Sequence, residues 1–477
     1  MSASVLWTAE NVIRAVHGQC LHEQCWTANG VSIDSRTVSK GDLFIAIKGP
    51  NHDGHDHVAA AFAAGASAAI VARRPQQSAA DAPLVFVEDT MVALQALGKA
   101  GRARAKGKII AVTGSVGKTS TKEMLKMALG AVGKTYANPG SLNNHWGLPL
   151  ALSNLPEDAD YGIFEMGMNH AGELSELSAM ARPDIALITT VELAHLEYFA
   201  SAEEIADAKA EIFDGMSAEG IAVLNRDNQH YGRIAAAAKK KGIKKIVSFS
   251  KETRVEAFLI DCKIGADECL VNAAVTGKNA RYTISASGMH MAMNSLAAVL
   301  TASQASGKVE ECAAALSLYS PPKGRGVKKS LQLKNGGDLT VIDESYNANP
   351  ASVRAAILVL ANSHVANNGR RVLVLGDMRE LGETSSSLHS GLAIDIMEAK
   401  IDRVFCCGEM MKHLFEALPS SYRGDWKDNS EKLAEIVAKD IRAGDVVSIK
   451  GSNSMKMSKV VEAIMGRTVS LEQKMAG

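Results

Sequence analysis

Short apolar runs alternate with helix-patterned stretches along most of the chain, and that alternation predicts an α/β architecture built on parallel sheets. In the middle of the chain, Ile109-Ile-Ala-Val-Thr113, the stretch 161–166, Ile185-Ala-Leu-Ile-Thr-Thr-Val191 and the stretch 220–224 read as strands. Strand-like runs dominate 244–286 and predict a β-rich edge. Ser320-Pro-Pro-Lys-Gly-Arg-Gly326 then interrupts the pattern with turn residues. Beyond it, Leu339–Asp343, Arg371–Leu375, Arg403–Cys407 and Asp445–Ile449 begin a second alternation of strands and helices. Ahead of residue 107, Val31-Ser-Ile-Asp-Ser-Arg36 and Gly41–Gly49 read as short strands joined by turns. A helix around Val58–Ala64 and a strand at Ala68–Ala72 follow. The basic, glycine-containing Gly98–Gly107 reads as a helix end entering a linker. Three units result: 1–106, 107–318 and 319–477.

Composition narrows the class. At 477 residues, 47% hydrophobic and 22% charged, the chain has the length of about three domains, each able to bury its own core. Lys+Arg and Asp+Glu both total 52, so no net field favours nucleic acid or a membrane surface. No apolar run reaches membrane-spanning length, and Met1–Glu10 lacks the pattern of an export signal. The seven cysteines show no metal-type pairing, since Cys406 and Cys407 are adjacent and Cys20 and Cys25 have no matching second pair. A reducing cytoplasm is expected.

The chemistry concentrates at predicted strand ends. Thr113-Gly-Ser-Val-Gly-Lys-Thr-Ser120 joins a strand to a helix start, which is how a phosphate cradle is made. Backbone N–H groups and the helix dipole face the anion, Lys118 adds a charge, and the Thr119 hydroxyl suits Mg²⁺. Gly114, Ser115, Val116, Gly117 and Ser120 complete the loop. Its shortened form, Gly-x-x-Gly-Lys-Thr, has Val112 where the longer nucleotide loop needs glycine. A GTPase would also need an Asn-Lys-x-Asp reader, which Asn225-Arg-Asp-Asn228 does not supply. Ligands in open α/β sheets bind outside the carboxyl ends of the strands. Glu165 ends one strand and is a hard oxygen donor for Mg²⁺. His195 lies just past another, and Lys209 sits on the next helix, where a solvated lysine is the ordinary reading.

Elsewhere, Asn51-His-Asp-Gly-His-Asp-His57 suits either a transition metal or polar recognition of a substrate, the second being favoured. His290 and Asn294 are four apart, so a helix would put both on one face. They suit adenine or a helix cap equally. Asp343 and Asp377 close strands in the third unit, and Arg325, in the turn between units, is placed to reach a phosphate. Asn347 and Asn349 either bind a ligand or shape the turn before Pro350.

Together these segments resemble the Mur ligases over nearly the whole chain. The likeness is carried by Asp34-Ser-Arg36, Gly41-Asp-Leu-Phe44, Asp53-Gly-His55, Thr113–Ser120, Asn143-Asn144 with Gly147-Leu-Pro149, and Glu165-Met-Gly167. Ala194-His-Leu-Glu197, Lys209–Phe213, Gly288-x-His290 with Asn294, and Gly324-Arg325 extend it. Ser345-Tyr-Asn-Ala-Asn-Pro350 and Gly376-Asp-Met378 with Glu380-Leu-Gly382 point to the branch that adds D-alanyl-D-alanine. Three positions depart from the usual pattern: Glu344, His145 and Asn453.

The resemblance implies a three-domain enzyme with a central parallel-sheet ATP-binding domain and a Rossmann-like C-terminal domain. The expected activity joins D-alanyl-D-alanine to UDP-N-acetylmuramoyl tripeptide through an acyl phosphate, with ATP and Mg²⁺, in a cytoplasmic monomer that serves cell-wall synthesis. It further implies Thr119, Glu165, His195 and a carbamylated Lys209 at metal positions, and Lys118, His195, Lys209 and Arg325 in catalysis. ATP would also meet His290, Asn294, Arg325 and Asp343. Ser35, Arg36, Asp53, His55, Asn143, Asn144, Tyr346, Asn347 and Asn349 would meet substrate. Rival readings are a kinase or GTPase switch, a nucleotide-gated scaffold without catalysis, and an amide ligase for folate or another amino acid.

Overall fold

The computed structural model describes residues 5–20, 25–79, 81–193, 197–366 and 368–469. Its largest sheet has nine strands and runs from Lys108–Thr113 to Lys278–Ile284 in sequence. Lys108–Thr113 lies inside this sheet, parallel to Tyr161–Glu165 on one side and Ile185–Ile188 on the other. Ile221–Asn225 and Lys245–Ser250 continue the parallel order. The far edge, Ala257–Ile264, Cys269–Val275 and Lys278–Ile284, is antiparallel, which matches the β-rich edge expected there. Burial on both faces explains the continuous apolar runs of the inner strands.

A six-stranded sheet forms the C-terminal part. Asp338–Glu344, Val446–Lys450, Arg371–Gly376, Arg403–Cys407 and Arg423–Lys427 are parallel, with Val327–Gln332 antiparallel at one edge. Near the N-terminus, Gly30–Ser32, Asp42–Ile45, Ala68–Val71 and Leu84–Phe86 make a four-stranded parallel sheet.

Several strands end earlier than expected, two of them for a clear local reason. Ser32 closes the first strand because Asp34 accepts the backbone N–H of Arg36 at 3.0 Å and folds 34–36 into a turn. Ile188 closes another because the chain beyond it turns to the phosphate loop, where Thr190 accepts from the Ser115 backbone N–H at 2.8 Å.

The N-terminal sheet is fastened to the nine-stranded unit through side chains that behave as backbone. Asn154 accepts from the Val31 N–H at 2.8 Å and donates to the Val31 carbonyl at 3.0 Å, so its amide extends the sheet edge. Trp7 Nε1 donates to the Ser153 carbonyl at 2.9 Å, and the Arg104 guanidinium lies 3.9 Å over the Trp7 ring. The helix Thr90–Arg104 approaches Gly147–Ser153 so closely that a Cβ on Gly101 would lie 2.2 Å from the Leu152 carbonyl oxygen. Gly101→Ala is therefore expected to destabilise the protein by about 1–3 kcal/mol through overpacking. Urea unfolding compared with an exposed Gly130→Ala control would measure it.

Candidate functional site

The site is built where the carboxyl ends of the nine-stranded sheet face the six-stranded one. Lys108–Thr113 delivers the chain into Gly114, whose φ of +146° and close approach to Thr189 exclude a side chain. The helix Lys118–Gly130 begins immediately after Gly117. Ser115 Oγ donates to the Glu192 carbonyl at 3.0 Å, and Thr189 Oγ1 donates to the Val116 carbonyl at 2.6 Å. The cradle is thus braced by the neighbouring strand end before any ligand arrives.

Thr119 Oγ1 donates to Glu165 Oε2 at 2.6 Å, while Asn143 Nδ2 donates to Glu165 Oε1 at 2.7 Å. Glu165 is 1% exposed. A hydroxyl and a carboxylate side by side under a phosphate cradle are the hard oxygen donors that Mg²⁺ takes, and the donor set fits it. Lys118 Nζ donates to the Gly114 carbonyl at 2.6 Å. Burial lowers the Lys118 pKa; the Glu165 carboxylate opposes that shift and Arg325 adds to it.

Lys209, on the helix Ala202–Ala210, is 1% exposed. Burial, and then the nearby Lys118 charge, hold its pKa well below the ordinary lysine value. The solvated helix lysine expected from sequence is instead an interior amine beside the cradle. His195 lies outside the described residues.

Asn294 sits against the loop, since a Cβ on Gly117 would come within 2.6 Å of its Oδ1. His290, one turn earlier on Met289–Ser306, opens onto a cavity of about 340 Å³ that Arg325, Lys328, Glu344 and Val359 also line. Protein packed around the imidazole still desolvates it and lowers its pKa, with Glu344 opposing and Lys450 reinforcing the shift. A second cavity of about 670 Å³ is lined by Thr119, Lys126, Ser141, Tyr319, Arg325 and Tyr346. Arg325 stands between the two, its guanidinium 4.0 Å over the Tyr346 ring. Tyr346 Oη also meets Ser141 Oγ across the units.

In the C-terminal unit the carboxylate on the cavity is Glu344. Asp343, expected at ATP, is 2% exposed, and its Oδ1 accepts from the Ser345 N–H at 3.1 Å and hydroxyl at 2.6 Å. Lys450 Nζ donates to Glu344 Oε2 and to the Asn347 carbonyl, both at 2.9 Å. Burial would raise the Glu344 carboxyl, but Lys450 and then His290 hold it below its ordinary value. A lowered carboxyl pKa stabilises the fold above the unfolded glutamate pKa, about 4.3, and that stability is lost as pH falls through the folded pKa. Lys450→Met leaves the partly buried Glu344 without its cation and is expected to cost about 1.5–3 kcal/mol. Urea unfolding at pH 7 checks that loss.

Several residues expected at substrate are occupied with the fold. His55 Nδ1 lies 2.6 Å from Asp53 Oδ1, and its Nε2 accepts from the Ala72 N–H at 2.9 Å, so one ring nitrogen is met inside the loop and the other just past the strand Ala68–Val71. Asp53 also pairs with Arg73 at 3.0 Å. Among the described residues, no group of three His, Cys, Asp or Glu is placed to hold a metal ion. Asn144 accepts from the Gly147 N–H at 2.9 Å, and Asn349 caps the helix Pro350–Ala361 with a reciprocal bond to Ser352. Arg36 forks onto Asp34, and its side chain is exposed. Sequence reasoning missed Asn138, whose Oδ1 accepts the Glu165 N–H at 3.1 Å, and the Lys450–Glu344 pair. A lysine at a strand end was the only signal for the pair.

Known proteins resemble this chain in sequence and in fold. The Mur ligase middle domain model matches residues 112–302, the Mur ligase glutamate ligase domain 331–453, and the Mur ligase family catalytic domain 27–102. A UDP-N-acetylmuramoyl-tripeptide–D-alanyl-D-alanine ligase of Rickettsia prowazekii is 36% identical, covering 91% of this chain and 94% of its own. The Escherichia coli ligase of that name is 32% identical over 92% and 94%. MurF of Acinetobacter baumannii superposes with a TM-score of 0.82 at 29% identity, covering 96% of this chain and 99% of its own. MurF ligase of Thermotoga maritima, solved in complex with ADP, gives a TM-score of 0.75 at 26% identity, covering 92% and 97%.

Proposed function

Because the chain belongs to the Mur ligase family, we propose that it is the ATP-dependent ligase that joins D-alanyl-D-alanine to UDP-N-acetylmuramoyl tripeptide. The observation that carries the chemistry is the convergence of Lys118, the Thr119–Glu165 pair and the buried Lys209 at one strand-end site, with Arg325 at the cavity beside Thr119. The substrates come from the names of relatives that match nearly end to end.

A carboxylate is a poor electrophile, and phosphorylation gives it a leaving group. In this reading the loop amides and Lys118 hold the phosphates, with Arg325 swinging from Tyr346 onto the charge that develops during transfer. Thr119 and Glu165 would hold Mg²⁺, which supplies charge neutralisation on the phosphoryl oxygens. Lys209, as a carbamate, and His195 would serve a second metal position. The amine of D-alanyl-D-alanine then attacks the acyl phosphate, forming the amide and releasing phosphate. His290 and Asn294 would face the nucleotide base. Residues 1–106 would hold the UDP end of the substrate, 107–318 ATP, and 319–477 would close over both and exclude water. Among the described residues no helix is long and apolar enough to cross a membrane, and we place the protein in the cytoplasm as a monomer.

The test is phosphate release from ATP with UDP-N-acetylmuramoyl tripeptide, with and without D-alanyl-D-alanine. Release that needs both, with a pentapeptide product by mass, is expected. Release driven by a single amino acid would move the chain to a different amide ligase.

A further inference from the structure

Lys122 is the one lysine in the helix Lys118–Gly130 with no exposed surface, and the mechanism above does not use it. Its ammonium has three N–H donors and three acceptors around them: the Asn138 and Gly140 carbonyls, each at 2.7 Å, and Glu123 at 2.9 Å. Such a buried charge persists only where its partners over-determine it.

Two of those partners are backbone atoms of a single loop, and this loop converges on Glu165. Asn138 takes the Glu165 N–H through its side chain. Asn143 donates to Glu165 Oε1, leaving Oε2 for Thr119. Ser141, between them, meets Tyr346 of the C-terminal unit. The loop therefore fixes which carboxylate oxygen faces the phosphate cradle. It also carries a contact to the opposing unit, and Lys122 ties it to the helix that begins at the cradle.

We propose that Lys122 is a positioning residue, which holds the 138–143 loop so that Glu165 presents Oε2 toward the metal beside Thr119. This rests on the reading of Glu165 as a Mg²⁺ ligand. The partners of Lys122 Nζ named above are all protein atoms, and its effect passes through the Asn143 amide.

The experiment compares Lys122→Met, Asn143→Ala, their double variant and Glu165→Gln in full-length protein. The readouts are kcat, KM for ATP, the Mg²⁺ concentration for half-maximal activity, and ATP binding without Mg²⁺. A misplaced ligand of this kind is worth on the order of 100-fold in rate. Lys122→Met should lose about that in kcat, demand roughly tenfold more Mg²⁺, and bind metal-free ATP as the parent does. Adding Asn143→Ala should bring little further loss, because both act through one path. An unchanged Mg²⁺ demand in Lys122→Met, or losses that multiply in the double variant, would overturn the inference. Should Lys122→Met not fold, Lys122→Arg takes its place, since a planar guanidinium cannot meet three acceptors set for a compact ammonium. An unchanged Mg²⁺ demand there overturns the proposal equally. If Glu165→Gln itself leaves Mg²⁺ demand unaltered, the reading of Glu165 fails and takes the inference with it. A Glu165→Gln defect with normal Lys122 variants removes the inference alone.

Discussion

Lys209→Ala is expected to lose ligation by at least about 1,000-fold, the scale of losing a preorganised charged group at a reacting phosphoryl centre. An ammonium that is 1% exposed and close to the Lys118 charge is disfavoured twice, by desolvation and by like charge. The neutral amine is therefore more populated than in an ordinary lysine, and a neutral amine is the species that adds to CO₂. Carbamylation replaces a cation that Lys118 repels with an anion that Lys118 attracts. The same change supplies an oxygen donor for a metal, which an ammonium cannot. Activity of the unaltered protein should fall in CO₂-depleted buffer and return with bicarbonate, more readily as pH rises and the neutral fraction grows. The alanine variant should ignore bicarbonate. Phosphate release assays on both proteins decide it, and full activity in Lys209→Ala would sink the carbamate.

Much of this site was legible in the sequence because its parts are local. A strand, a glycine turn and a helix start are contiguous in 109–120, and Glu165 marks a strand end by its own apolar run. The parts that were not legible depend on partners far along the chain. Asn154 completes the edge of a strand 123 residues away. Lys122 gives no outward sign of burial, since two of its three acceptors are backbone carbonyls that any sequence supplies. Lys209 reads as a solvated helix lysine until the packing around it is known. In the 51–57 loop a cluster of histidines and aspartates suggested a ligand, and His55 there also bonds to Asp53 and to the Ala72 N–H at the end of a strand. Polar residues crowd around ligands and around irregular backbone for the same reason: both present unpaired hydrogen-bonding groups. Composition alone does not distinguish the two. Asp343 and Glu344 show this at single-residue scale, since adjacent carboxylates at one strand end divide between shaping the turn and facing the cavity.

Lys118→Ala should lose the phosphoryl-transfer half of the reaction while binding ATP within a few-fold of the parent. Ground-state phosphates are held largely by the loop N–H groups and the helix start, which the substitution leaves in place. What it removes is a mobile point charge. Lys118 Nζ donates to the Gly114 carbonyl at 2.6 Å, a bond that phosphate oxygens can replace without moving the backbone. Its value should thus appear mainly as negative charge builds during transfer, with a loss on the order of 100- to 1,000-fold in kcat. Arginine is not expected to restore it, because the Lys118 stem lies in packed surroundings and the guanidinium is larger and planar. The step can be isolated by omitting D-alanyl-D-alanine and trapping the acyl phosphate by borohydride reduction. Trapped product should fall in parallel with kcat in Lys118→Ala. Unchanged acyl-phosphate formation beside a slow overall reaction would refute the assignment and shift the role of Lys118 to the amine-attack step.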